Sequence, residues 1–280
     1  MKQLYLQLKT LLESGQTAVL VSVCAVSGST PRSAGAQMLL WSGGRHGTIG
    51  GGALEHEAEG IGRTVLASGE SCTRRFHLAN APTAALGMVC GGETTLEFRH
   101  LRPDDPAAFA LIDEALAAIA AAGCVYIFGA GHVARALVPV LSMVEFRCIV
   151  LDDRSEFADI TLFPEAERVM LCDFSDVANA VGLSRRDYAV IMTRGHEFDA
   201  QVQAQMMRTD ARYIGVMGSA SKRAFVRAKM LDLGFSEAEI DRVKTPVGIK
   251  IGSDTPAEIA VSIAAELIMV RASAKESAPD

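Results

Sequence analysis

Leu4, Leu8, Leu11 and Leu12 recur at helical spacing and predict a helix over residues 4–14, stopped by Gly15. Thr17 to Ser27 reads as a strand, followed by the loop Gly28-Ser-Thr-Pro-Arg-Ser-Ala-Gly35. Gln37 to Trp41 is a second strand, Ser42-Gly43-Gly44 a hairpin turn, and His46 to Ile49 a returning strand. That strand runs into Gly50-Gly51-Gly52, and Ala53 to Ser68 is helical. Thr73 to Leu78 and Thr94 to Leu101 look like further strands, so this half reads as an α+β unit.

Pro103-Asp104-Asp105-Pro106 breaks the pattern, and an Ala-rich helix from Ala107 to Ala122 follows it. The second half alternates strand and helix, with strands near 124–128, 147–151, 168–171, 188–192 and 212–216. Thr255-Pro256 opens a last helix to about Ser273, and Ala274 to Asp280 reads as a frayed tail. The expected organisation is an α+β domain over 1–103, a linking helix over 104–122 and a doubly wound Rossmann-like α/β domain over 123–280.

Within that second half, Cys124-Val-Tyr-Ile-Phe-Gly129-Ala-Gly131-His132-Val-Ala134 joins a strand to a helix through a glycine turn. Gly129 permits the tight turn, Gly131 lets backbone approach a ligand, and Ala134 lets the helix pack close to the strand. The opening helix offers free N–H groups and a positive dipole end to a phosphate. The next strand, Arg147 to Leu151, ends in Asp152-Asp153, where a ribose-binding acid would sit. The pattern fits a site for NAD or NADP, or a Rossmann-like domain whose crevice holds no dinucleotide.

Composition narrows the classes. Nearly half of the 280 residues are apolar, with few aromatics, as parallel sheets covered on both faces require. The formal charge is −6 and no basic stripe appears, which argues against nucleic acid. Thr17 to Val26 is too short to span a bilayer, and Ile259 to Val270 is interrupted by Ser262 and Glu266, which argues against a membrane protein. The start of the chain lacks the apolar segment of a signal peptide. The six cysteines are scattered without a CxxC pair. A reduced, cytoplasmic setting follows, without a disulfide framework or zinc cluster.

Several loops carry candidate chemistry. Arg32 offers a fork-shaped cation in a loop stiffened by Pro31. Gly50, Gly51 and Gly52, followed by Glu55, form a strand-to-helix turn built for close backbone approach. Cys90, in Leu86-Gly-Met-Val-Cys-Gly-Gly92, is a thiol among glycines, able to bind a soft metal or accept sulfur. After the strand ending at Met192, His196 and Asp199 could pair for proton transfer or for orienting a ligand. After the strand ending at Val216, Ser219 or Ser221 could cap a helix. Lys222 and Arg223 in its first turn run against the dipole, a placement that suits a bound anion.

These motifs, in this order, resemble the XdhC/CoxI family, accessory factors for xanthine dehydrogenase and related molybdenum hydroxylases. The resemblance rests on Gly28-Ser-Thr-Pro-Arg32, Gly35-Ala-Gln-Met-Leu39, Gly47-Thr-Ile-Gly-Gly-Gly52 with Glu55, and Cys90-Gly-Gly92. In the second half it rests on Phe128-Gly-Ala-Gly-His-Val-Ala134, Leu151-Asp-Asp-Arg154, Thr193-Arg-Gly-His196 with Phe198-Asp199, Tyr213-Ile-Gly215, Gly218-Ser219 with Lys222, Ile251-Gly252 and Thr255-Pro-Ala-Glu-Ile-Ala260. It implies an N-terminal α+β domain of XdhC/CoxI type before the Rossmann-like one. It further implies a protein that binds the molybdenum cofactor (molybdopterin), supports its sulfuration and delivers it to an apo molybdenum hydroxylase of the xanthine dehydrogenase kind. A cysteine desulfurase would supply the sulfur. Many members carry two adjacent cysteines where this chain has Val89-Cys90, so a mechanism needing both thiols does not transfer.

On this reading the cofactor-binding residues are Arg32, Gly50, Gly51, Gly52, Glu55, Cys90, Gly129, Gly131, His132, Asp152, His196, Asp199, Ser219 and Lys222. Cys90 meets the metal, and no residue is assigned to catalysis. Handing over a protected cofactor would suit a homodimer, although no residue demands one. The competing readings are an NAD(P)-dependent oxidoreductase built on Gly129, Gly131, Ala134 and Asp152, and a redox-sensing module built on Cys90.

Overall fold

A computed structural model describes residues 1–78, 92–218 and 220–276; of His196 and of residues 220–222 and 274–276 it describes the backbone alone. The chain divides into two compact units, Met1–Ala121 and Ala122–Asp280.

In the first unit, β1 (Ala18–Ser27), β2 (Gln37–Trp41), β3 (Gly44–Gly47), β4 (Cys72–His77) and β5 (Glu93–Leu101) form one sheet in the order β3-β2-β1-β5-β4. Every pairing is antiparallel. Side chains of β1 alternate between two cores, as the pleat requires. Val19, Val21 and Val23 pack with Leu54, Ala58 and Val65 of helix α2 (Gly52–Ser68). Ala18 and Leu20 pack with α1 (Lys2–Glu13) and α3 (Pro106–Ala121). The Ala-rich helix expected to link the halves packs on α1 within the first unit.

The hairpin is tighter than its sequence suggests. Trp41 pairs with Gly44 across Ser42-Gly43, so β3 starts two residues before His46 and ends at Gly47. Thr48 and Ile49 leave the sheet because their polar groups are drawn to Glu55.

In the second unit, β6 (Cys124–Phe128), β7 (Arg147–Asp152), β8 (Arg168–Leu171), β9 (Tyr188–Ile191), β10 (Tyr213–Val216) and β11 (Val243–Lys244) form a wholly parallel sheet in the order β11-β10-β9-β6-β7-β8. This is the doubly wound Rossmann order, whose direction reverses between β6 and β9. Val125, Ile127 and Val190 face α4 (His132–Met143) and α9 (Pro256–Glu276). Phe128, Ala189 and Ile191 face α5 (Val177–Ala180), α6 (His196–Met207), α7 (Ala220–Asp232) and α8 (Glu237–Asp241). The last helix continues through Glu276, past the end expected at Ser273, since Lys275 and Glu276 are good helix formers. No helix among the described residues is long and apolar enough to cross a membrane.

Candidate functional site

In the first unit the antiparallel order sends three connections to one end of the sheet. They leave β1 at Ser27, leave β3 at Gly47, and enter β5 at Glu93. All three touch there, on the loop that leaves β1. Gly50, at φ +128°, lies so close to the 28–35 loop that a Cβ on it would sit 2.6 Å from Pro31 Cβ and 3.3 Å from Arg32 Cγ. Gly92 lies against the carbonyl oxygens of Ser27 and Ser29, 2.6 and 2.5 Å from where its Cβ would be. Arg32 itself is exposed. Cys90, two residues before Gly92, falls outside the described residues.

Glu55 holds the glycine turn. Its Oε2 accepts from Thr48 Oγ1 (2.5 Å), Ile49 N (3.0 Å) and Gly51 N (3.0 Å), and its Oε1 meets the Arg45 guanidinium. Arg45 is also 3.0 Å from Glu59. Burial opposes the charge on Glu55, but hydrogen bonds from Thr48, Arg45 and the two amides outweigh it and lower the pKa to about 2. The carboxylate is thus spent on shaping the turn. What remains for a ligand is backbone: α2 begins at Gly52 after the N-cap Gly51, which makes no side-chain cap, and no described residue lies within 4 Å of a Cβ placed on Gly51.

In the second unit two glycine N-caps flank the point where the sheet reverses. Gly131 precedes α4 after β6, Gly195 precedes α6 after β9, and neither end has a side-chain cap. Both helices therefore offer N–H groups and positive dipole ends beside one crevice. Gly129, at φ +109°, donates to Leu151 O (2.8 Å), and a Cβ on it would stand 2.4 Å from Met192 O. Its function is to let the ends of β6 and β9 come together. Nothing lies within 4 Å of a Cβ placed on Gly131, so the approach there is open. His132 is exposed on the first turn of α4.

Asp152 is only 1% exposed, and it is occupied. It accepts from Ala130 N (2.7 Å), Arg154 N (3.1 Å), and Arg154 Nε and Nη2 (2.8 and 3.0 Å). Burial would raise its pKa, but the Arg154 guanidinium and the two amides bring it below the usual carboxylate range. The residue placed for a ribose hydroxyl works in this structure as a clamp on the Gly129–Gly131 turn. Its contribution is full above the ordinary carboxylate range and falls away as acid protonates it. Asp152→Asn is expected to destabilise the second unit by about 2–4 kcal/mol at neutral pH, since an amide N–H would then oppose Arg154. Calorimetric unfolding checks this; wild-type stability would remove the clamp.

Asp153, the next residue, accepts from Arg194 Nη2 at 2.8 Å, so an ion pair joins the loops after β7 and β9. Asp199 is fully buried and its Oδ1 accepts from Thr193 N (2.9 Å) and Thr193 Oγ1 (2.6 Å). That carboxylate braces the loop before α6. His196 begins α6, but its side chain is not described, so its pairing with Asp199 lies outside the described residues. Ser219 falls outside them too, as does the side chain of Lys222 on the first turn of α7.

Against this geometry, comparison with known proteins is decisive for kinship. The profile of the XdhC Rossmann domain matches residues 125–267, more than half of the chain, and that of the XdhC and CoxI family matches residues 11–77. The chain belongs to the XdhC and CoxI family. Among its relatives, the uncharacterized protein YqeB of Escherichia coli K12 is 27% identical over 87% of this chain, which spans 42% of YqeB's length. A Bacillus subtilis protein named as a probable xanthine dehydrogenase component is 25% identical, over 97% of this chain and 98% of its own. The molybdenum cofactor insertion chaperone PaoD of Escherichia coli K12 is 27% identical, over 93% and 85%. A crystal structure described as a xanthine dehydrogenase from Bacillus halodurans superposes with a TM-score of 0.84 over 98% of both chains. At 22% identity it shows a shared fold.

This XdhC/CoxI chain thus brings its motifs together in two places. In the first unit, Arg32 and Gly50 meet directly, with Gly51, Gly52 and Gly92 at the same end of the sheet. In the second, Gly129, Gly131 and His132 line the crevice opposite Gly195. Three acids of that set, Glu55, Asp152 and Asp199, are held in this structure by loop amides and neighbouring side chains. The sequence does not assign Arg45 and Thr48 to the site; their signal there is their place on and just after the returning strand, shortly before Glu55. Among the described residues no group of three or more His, Cys, Asp or Glu side chains is placed to hold a metal ion.

Proposed function

We propose that this chain binds the molybdenum cofactor, supports replacement of an oxo ligand by sulfide, and delivers the product to a xanthine dehydrogenase-type hydroxylase. The cofactor is cargo, and the sulfur comes from a cysteine desulfurase. Kinship with a named cofactor insertion chaperone supports the reading. The observation that carries it is the meeting of the Arg32 loop with the glycine turn, beside the strand end that follows Cys90. The donor set fits such a ligand: an exposed guanidinium for pterin oxygens, uncapped amides at α2 for a phosphate, and a thiol for the metal end. In this scheme Arg32 orients the pterin, Gly52 and the next amide of α2 hold the phosphate through backbone, and Glu55, which takes the Gly51 N–H, keeps the turn in shape without touching the ligand.

The test is anaerobic incubation with the cofactor, followed by gel filtration and pterin fluorescence on the protein peak. Wild type should carry pterin; Cys90→Ala and Arg32→Ala should each retain at most about one tenth as much, a loss on the order of one hydrogen-bonded or metal contact. Equal retention by all three proteins would refute the assignment.

The nicotinamide-dependent oxidoreductase is the second reading, favoured by the paired helix N-termini at the sheet reversal. It loses its ribose acceptor while Asp152 remains tied to Ala130 and Arg154. Calorimetry with NAD and NADP decides it; no heat of binding at millimolar nucleotide sinks it.

A further inference from the structure

On the edge of the second sheet, away from the reversal point, a cavity of about 450 Å³ opens between α6, α7, α8 and the ends of β10 and β11. Its size is that of small-molecule sites in general. Val216, Val226 and Ile240 make its apolar wall. Arg223 and Lys244 line it as well, and among the described residues neither has an acidic partner. Arg227, by contrast, is held by Glu237 and Asp241. Arg223 stands on the first turn of α7, where a cation opposes the helix dipole unless an anion joins it.

The deciding residue is Gln203. It lines the same cavity from α6, is only 3% exposed, and its carboxamide oxygen is buried without a hydrogen-bond partner among the described residues. Among the described residues the amide nitrogen reaches Met207 Sδ, at 3.6 Å. A buried carbonyl oxygen without a donor is costly, and the side chain could be replaced by leucine of similar shape. A polar group kept at such a cost, beside cations that have no acidic partner among the described residues and an apolar wall, is the arrangement of a ligand site.

We propose that this cavity binds a small anionic heterocycle: a phosphate or carboxylate against Arg223 and Lys244, a flat ring along the apolar wall, and a ring or amino N–H donating to the Gln203 oxygen once its carboxamide turns towards the cavity. The site is separate from the glycine crevice and does not rest on the cofactor reading.

The experiment is titration calorimetry of the full chain with guanosine monophosphate, with orotate as the carboxylate counterpart, and with inorganic phosphate. At least one of the two heterocycles should bind at least about tenfold more tightly than phosphate, the worth of one good hydrogen bond to the ring. Gln203→Leu should weaken that binding by about tenfold, while raising the melting temperature of the ligand-free protein by about 2–4 °C. Arg223→Gln changes an exposed side chain, and should weaken binding and flatten its salt dependence even if the leucine variant fails to fold. Three results would overturn the proposal: no heterocycle binding at millimolar concentration, binding indifferent to both substitutions, or a folded leucine variant that is less stable than wild type.

Discussion

Glu55→Ala is expected to destabilise the first unit by about 3–5 kcal/mol, the usual cost of removing one partner from a buried charged network. The change takes the acceptor from the buried amide of Ile49, the amide of Gly51 and the half-buried Thr48 hydroxyl, and leaves the exposed Arg45 without this partner. The same carboxylate predicts an acid limb. Its pKa falls from 4.5 to about 2 on folding. The folded form therefore holds the charge more tightly, and its stabilisation is complete above about pH 4.5. It is lost as the pH falls from there towards 2, on the order of 3 kcal/mol in all. Trp41, the chain's only tryptophan, lies in β2 of this unit, so its fluorescence follows the unit selectively during denaturant unfolding. Wild type should lose midpoint steeply below pH 4.5, and Glu55→Ala should start lower and show a shallower limb. Equal midpoints at pH 7 would show that the turn does not depend on this acid.

The second large effect separates two glycines of one motif. Gly129→Ala should cost the second unit about 3–5 kcal/mol, because φ +109° is strained for any side chain and the new methyl would press on the Met192 carbonyl. Gly131→Ala should cost about 1 kcal/mol or less, since its φ of −77° suits alanine and the space is empty. Its effect belongs to binding, because the methyl occupies the open approach to the α4 amides. Scanning calorimetry should show a clear fall in the melting temperature of the second unit for Gly129→Ala and almost none for Gly131→Ala. Equal stability of the two variants would refute the separation.

Long periodic segments are readable in the sequence alone. The β1 alternation, the α2 run after three glycines, and the five strands from Cys124 to Val216 stand close to where their patterns place them. Elements too short to carry a period, such as α5 and β11, left no mark in the sequence, and α8 left only its capping box, Ser236 with Glu239. They exist because neighbouring helices and strands supply their contacts. The ion pair between Asp153 and Arg194, and the cavity under α7, were equally silent, since each joins residues distant in the chain.

Residue type and local order by themselves determined the α/β class, the glycine turns, the family resemblance and which side chains are chemically able to bind. Those depend on backbone freedom and on spacing along one strand or helix. The tertiary structure alone decided where each carboxylate is spent. Asp152 and Glu55 carry the same charge whether they face a ribose or a backbone amide. The choice is made by Ala130 and Arg154 in one case, and by Arg45, Thr48 and two turn amides in the other. It was also the strand order that brought Arg32 to Gly50 and Gly92 to Ser29, because an antiparallel sheet returns alternate connections to the same end.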